Sequence, residues 1–189
     1  MKFDPIAALR QEHSRAQTDI VAAWTMADAR RYGKMIDLMT GDDRLLTQRA
    51  AWVVCVVGEA RPDWVVPHLP RLLDHLARPG LHPAVVRGIF RLLQTVPVPG
   101  SLEGRVLSLA FAALGGAAAV AVKAYSLTIL KRLASANPEI LDEVRAILAE
   151  ELPNAAPAVR SRARREFGMG GARMESRRGI VVEGKPGAW

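Results

Sequence analysis

Pro83-Ala84-Val85-Val86-Arg87-Gly88-Ile89 is the stretch on which the fold turns. Proline fits the first position of a helix, where its missing N–H would have no intrahelical acceptor anyway. The small and apolar residues behind it recur at helical spacing. The same pattern returns as Pro157-Ala158-Val159-Arg160, and its basic residue has counterparts in Arg49 and Lys123. From Arg49 through Arg87 and Lys123 to Arg160 the steps are 38, 36 and 37 residues. The segments between keep the same beat, with Leu72, Leu109 and Ile147 standing 37 and 38 apart. A period of this length holds two helices and a turn. Each such pair has an apolar face that it cannot bury alone, so successive pairs must stack into one continuous core. The expectation is an all-α protein, an α-α superhelix of about four helix pairs plus an N-terminal helix.

Punctuation on either side of that stretch marks the helices. Asp4-Pro5 reads as an N-cap and first position for a helix to about Trp24, with Ile6, Leu9, His13, Ala16, Ile20 and Ala23 along one buried stripe. A second helix spans roughly 28–40 and stops at Gly41. A third, 44–60, starts from Asp42 or Asp43 and is apolar nearly all round between Ala50 and Val57, as a helix held between neighbours should be. Pro62, Pro67 and Pro70 predict a short helical turn and a second start near Pro67, ending near Arg78-Pro79-Gly80. Further helices are expected at 83–96, 101–115, 119–136, 138–152 and 156–167. These divide the chain into an N-terminal helix packed on the repeats (1–27), a repeat domain (28–167) and a flexible basic tail rich in glycine and arginine (168–189). Ile180-Val181-Val182, within the tail, is the one short run with strand-like alternation.

The two-helix unit with a proline or aspartate opening its second helix, followed by a Val-Arg step, resembles the HEAT-repeat family. Here the pattern stands as Asp43…Arg49, Pro83-Ala84-Val85-Val86-Arg87 and Pro157-Ala158-Val159-Arg160; the repeat at Lys123 has alanines in place of the proline. Glu12-His13-Ser14, Gln48-Arg49-Ala50-Ala51-Trp52 and Ser161-Arg162-Ala163-Arg164 are similar to strings in small bacterial HEAT-like proteins. The resemblance covers about 28–167. It implies a solenoid, sometimes with aspartates paired to basic residues of the next repeat, and it implies no particular chemistry.

The net charge is +7, and residues 158–189 supply most of it, with eight basic residues against three acidic ones. Stacking would bring Arg49, Arg87, Lys123 and Arg160 into one row, with Arg91 and Arg164 one turn onward. Such a row can satisfy carboxylates and helix ends of adjacent repeats, meet a protein surface, or track a phosphate backbone with salt-dependent affinity. These six residues are the candidate partner or phosphate contacts. A protein partner is the leading expectation and nucleic acid the alternative.

Catalytic patterns are lacking. His68, His75 and His82 are spaced by seven, wider than the close pairs zinc sites favour, and prolines interrupt them. His13 reads as a hydrogen-bonded core histidine. The single cysteine, Cys55, lies in the apolar run Trp52-Val53-Val54-Cys55-Val56-Val57 and reads as core. There is no Gly-x-Ser-x-Gly and no phosphate loop; Gly115-Gly116 reads as a turn. No catalytic residue, metal ligand or cofactor is expected. Some HEAT-like proteins are alkylpurine DNA glycosylases using tryptophans and an aspartate in a basic groove. Trp24, Trp52, Trp64, Asp28 and Asp63 are the residues available for that, although no motif aligns and Trp52 reads as core. A lyase of the fumarase type would need a loop absent here. The N-terminus lacks the apolar stretch of a signal peptide and no run reaches the length of a membrane span, so a cytoplasmic protein is expected.

Overall fold

In the computed structural model, residues 3–135 and 137–169 are described; most of the expected tail, including Ile180-Val181-Val182, lies outside them. The described residues form helices and turns without strands. The order is α1 (Pro5–Gln11), α2 (Arg15–Thr25), α3 (Ala29–Met39), α4 (Arg44–Ala60), α5 (Pro62–Val65), a 3-10 turn (Val66–His68), α6 (Leu69–Leu76), α7 (Pro83–Leu93), α8 (Gly100–Gly115), α9 (Val120–Leu133), α10 (Pro138–Glu151), a second 3-10 turn (Leu152–Asn154) and α11 (Pro157–Phe167).

Side-chain caps set the starts. Asp4, Ser14, Asp28, Asp43 and His82 each accept from a backbone N–H of the helix they open, satisfying donors that would otherwise be orphaned. Gly168, at φ +70°, closes α11 in the left-handed conformation that glycine adopts without a Cβ penalty.

The helix expected from Asp4 to Trp24 is two helices. Ser14 accepts from the Gln17 N–H at 3.0 Å and restarts the helical phase, so the stripe read across that point does not exist. Ile6, His13, Ala16, Ile20 and Ala23 are all exposed, and the buried positions are Ala8, Leu9, Thr18, Val21, Ala22 and Thr25. His13 is therefore not a core histidine. The Thr18 and Thr25 hydroxyls are compatible with burial because each donates to a carbonyl one turn back.

Two layers result. α4, α7, α9 and α11 pack side by side in one row, extended by α2 on the far side of α4. α3 packs against α4 and α8 against α9, forming the second layer with α10. Between the layers lies a continuous apolar core that includes Tyr32, Met35, Ile36, Val53, Val57, Leu72, Ile89, Leu92, Leu114 and Leu127. Its tightest crossing is at Gly58. A Cβ there would lie 2.7 Å from Leu92 Cδ2, 2.8 Å from Tyr32 Oη and 2.9 Å from Val65 Cγ2. No described helix is long and apolar enough to cross a membrane.

Asp37 on α3 pairs with Arg71 on α6, and Asp74 on α6 pairs with Arg105 on α8 at 2.7 Å, so α6 links α3 to α8. The two aspartates are 37 residues apart, so each link joins one repeat to the next. The links are exposed and contribute on the order of 0–1 kcal/mol each.

Candidate functional site

The period of the basic row puts its four positions on the helices of one layer, but their side chains go to different partners. Arg49, half-buried on α4, donates to the Leu9 carbonyl at 2.5 Å, in the last turn of α1, where carbonyls lack intrahelical donors and cations are favoured. Lys123 pairs with Glu151 at 3.3 Å. Arg160 donates to the Ala155 carbonyl just before its own helix. Arg91 holds the Glu59 carboxylate through two bonds, at 2.5 and 2.8 Å. Arg164 is exposed on α11. Arg87 is exposed and makes no hydrogen bond or ion pair among the described residues, a state it shares with Arg44.

Arg87 and Arg91 come together in a groove of about 230 Å³ between α4, α7 and α9; the other four members of the row do not line it. Its existence follows from residue size. Ala51 and Cys55 on α4 face Ala84 and Gly88 on α7, and a Cβ on Gly88 would stand only 3.1 Å from Cys55 Sγ. Helices with small residues at their contact approach closely, and the larger side chains on either side rise as walls. Trp52 and Tyr125, both half-buried, are those walls, and Gln48 and His13 complete the rim. The His13 ring meets Trp52 edge-on, with centroids 5.4 Å apart.

Electrostatically the groove is simple. The Cys55 thiol donates to the Gly88 carbonyl at 3.5 Å, and burial pushes it up to about 12, so the floor is neutral. Among the described residues no acidic side chain lines the groove, and Glu59, whose charge reaches Cys55, is held by Arg91. Further along the same face, Arg162 donates to Gln94 and Thr128, and Thr128 donates to Glu166 at 2.9 Å. Burial alone would raise the Glu166 carboxyl, but hydrogen bonds from Arg165 and Thr128 hold it below its ordinary value.

The remaining candidates are scattered. His68 rests against Tyr32, His75 is buried, and His82 caps α7 through Nδ1 at 3.1 Å from the Ala84 nitrogen. Among the described residues no three of His, Cys, Asp or Glu are gathered as a metal would need. Trp24 and Asp28 belong to a separate hollow with Phe3, where Arg31 lies over the Trp24 ring at 4.7 Å. Trp64 packs under Arg61, which pairs with Asp63. Trp52 alone of the three reaches the groove, and it is a wall of the groove where the sequence reading had it in the core. The signal for it lay in Gln48, Trp52 and Cys55, one stripe of α4, set beside the small Ala84 and Gly88. Tyr125 gave no comparable signal.

A family model for the HEAT repeat domain matches residues 6–167, from α1 through the end of α11. The chain belongs to the HEAT-repeat family. The HEAT match takes in both N-terminal helices, beyond the 28–167 that the sequence pattern covers. No curated protein and no solved structure matches the chain. HEAT repeats commonly serve protein–protein interaction, which bears on what such a groove is for.

Proposed function

We propose that this chain is a non-enzymatic scaffold or adaptor that binds a protein partner along the face formed by α4, α7 and α9. The observation that carries the reading is the groove between Trp52 and Tyr125, a trough with aromatic walls on a rigid two-layer support. Aromatic and arginine side chains at the centre of a shaped patch are the usual anchors of protein recognition. Nucleic acid is the second reading, favoured by the net charge of +7. Against it, Arg49, Arg91, Lys123 and Arg160 each already hold an internal acceptor.

The test is capture of partners from cell extract by the full chain, alongside Trp52→Ala and Tyr125→Ala variants. Labelled mixed-sequence DNA and RNA are titrated by anisotropy at two salt concentrations. A partner held by the native chain and lost from both variants supports the scaffold. Partners captured equally by all three chains would sink the groove as the contact. Salt-sensitive nucleic-acid binding that Arg87→Glu abolishes would replace it with the second reading.

A further inference from the structure

Four hydrogen-bond donors surround the groove without a hydrogen-bond partner among the described residues: the Arg87 guanidinium, the Gln48 amide, the Tyr125 hydroxyl and the His13 imidazole. Most described arginines, by contrast, are engaged in ion pairs or carbonyl contacts. Gln48 and Tyr125 are half-buried and Arg87 and His13 exposed; all four border one volume, and together they describe the negative image of an acceptor. The floor beneath them is apolar and small, so the acceptor must sit at the end of a short aliphatic stem.

Resting on the protein-binding reading above, we propose that the groove receives an acidic side chain of a partner peptide. The carboxylate is held by Arg87 with Gln48 and Tyr125, and the methylenes lie between Trp52 and Tyr125. The size agrees: about 230 Å³ is below the roughly 300–1,000 Å³ of small-molecule sites and suits a single side chain. The charge agrees as well. Arg91 and Glu59 offset each other, which leaves Arg87 as the uncompensated cation, and guanidinium–carboxylate pairs are among the strongest polar contacts. A polyphosphate fits less well. It needs cations repeated along its path, whereas here Glu59 and Glu166 stand along the same face, and Arg162 is tied to Gln94 and Thr128.

The experiment is an NMR titration of the full ¹⁵N-labelled chain, following the Trp52 indole and Arg87 Nε signals. The probes are blocked heptapeptides of alanine and leucine with a central glutamate, the same peptides with glutamine, and a DNA dodecamer. The glutamate peptides should shift both signals and bind about tenfold more tightly than the glutamine peptides, as loss of one charge-assisted pair implies. Arg87→Gln should erase that preference, while Arg44→Gln, an equal charge change outside the groove, should keep it. Equal response to glutamate and glutamine peptides would overturn the acidic anchor and leave the protein-binding face standing. A response to the dodecamer alone would overturn both. Silence toward every probe would overturn the anchor, with the face then judged by whether Trp52→Ala loses captured partners.

Discussion

Gly58 and Leu92 meet so closely that a methyl group on Gly58 would stand 2.7 Å from Leu92 Cδ2. Tyr32 and Val65 crowd the same point, so α3, α4, α5 and α7 are all gauged against one missing side chain. Gly58→Ala should destabilise by about 1–3 kcal/mol, because overpacking outweighs the gain of up to about 1 kcal/mol in helix propensity. Gly104→Ala, on an exposed helical position with nothing within 4 Å, should instead stabilise by roughly 0.5–1 kcal/mol. Urea midpoints of the two variants check the pair; a shift of the same sign in both would contradict the crossing.

Arg49 and Arg87 occupy matching places in successive repeats yet should behave differently. Arg49→Ala removes the donor from the Leu9 carbonyl and should cost about 0.5–1.5 kcal/mol, with lost hydrogen-exchange protection confined to α1. Arg87→Ala should change stability by no more than about 0.5 kcal/mol, as expected for an exposed residue without partners.

Cys55 should be inert in the folded chain. Burial holds its thiol at about 12, so the reactive thiolate is scarce and covered. Modification by a thiol reagent at pH 8 should be slower by about two orders of magnitude or more than in urea, and should follow the unfolding transition.

Stability should fall in two stages as pH drops. His68, His75 and His82 have folded pKa values below 6.5, chiefly because burial disfavours the charged ring, with Arg71, Arg78, Arg44 and Arg87 adding repulsion. The unfolded chain therefore takes up protons first, and stability declines as pH falls from about 7 through 6.5 toward the folded values. Asp28, Asp43 and Asp63 also lie below their ordinary 3.8 and supply a second decline beneath that value. Urea midpoints against pH should show both limbs. His75→Gln should shallow the first. Asp43→Asn, which keeps a capping oxygen while losing the charge, should shallow the second.

The repeat was legible because stacking imposes one period on the whole chain: the step from Arg49 to Arg87 to Lys123 needs only counting. What each side chain touches was not legible, since that depends on the neighbouring helix. Arg49 meets a helix end, Lys123 a carboxylate, and Arg87 open space, from the same place in the period. The groove stayed hidden for a related reason. Trp52 sits in a helix that is apolar nearly all round, and only the smallness of Ala84 and Gly88 across the seam leaves it half-buried rather than covered. The stripe through His13 failed because Ser14 resets the phase, a local hydrogen bond that periodicity alone does not register. Asp37 and Asp74 also keep the period, 37 residues apart, but the sequence pattern singles out Asp43 alone and misses their links to the next repeat.

The contact from Arg162 on α11 to Gln94 at the end of α7 passes over the helix between them and takes Thr128 with it. Mechanically this is a tie-rod. Bending that splays α7 from α11 must break it, and on the other side of α7 the seam with α4 is locked by the Gly58–Leu92 crossing and by Arg91 on Glu59. Row helices on both sides of α7 are thereby braced, including the seam that carries the groove. A load applied along the solenoid would leave the groove's width nearly unchanged, so that a partner meets a preformed site.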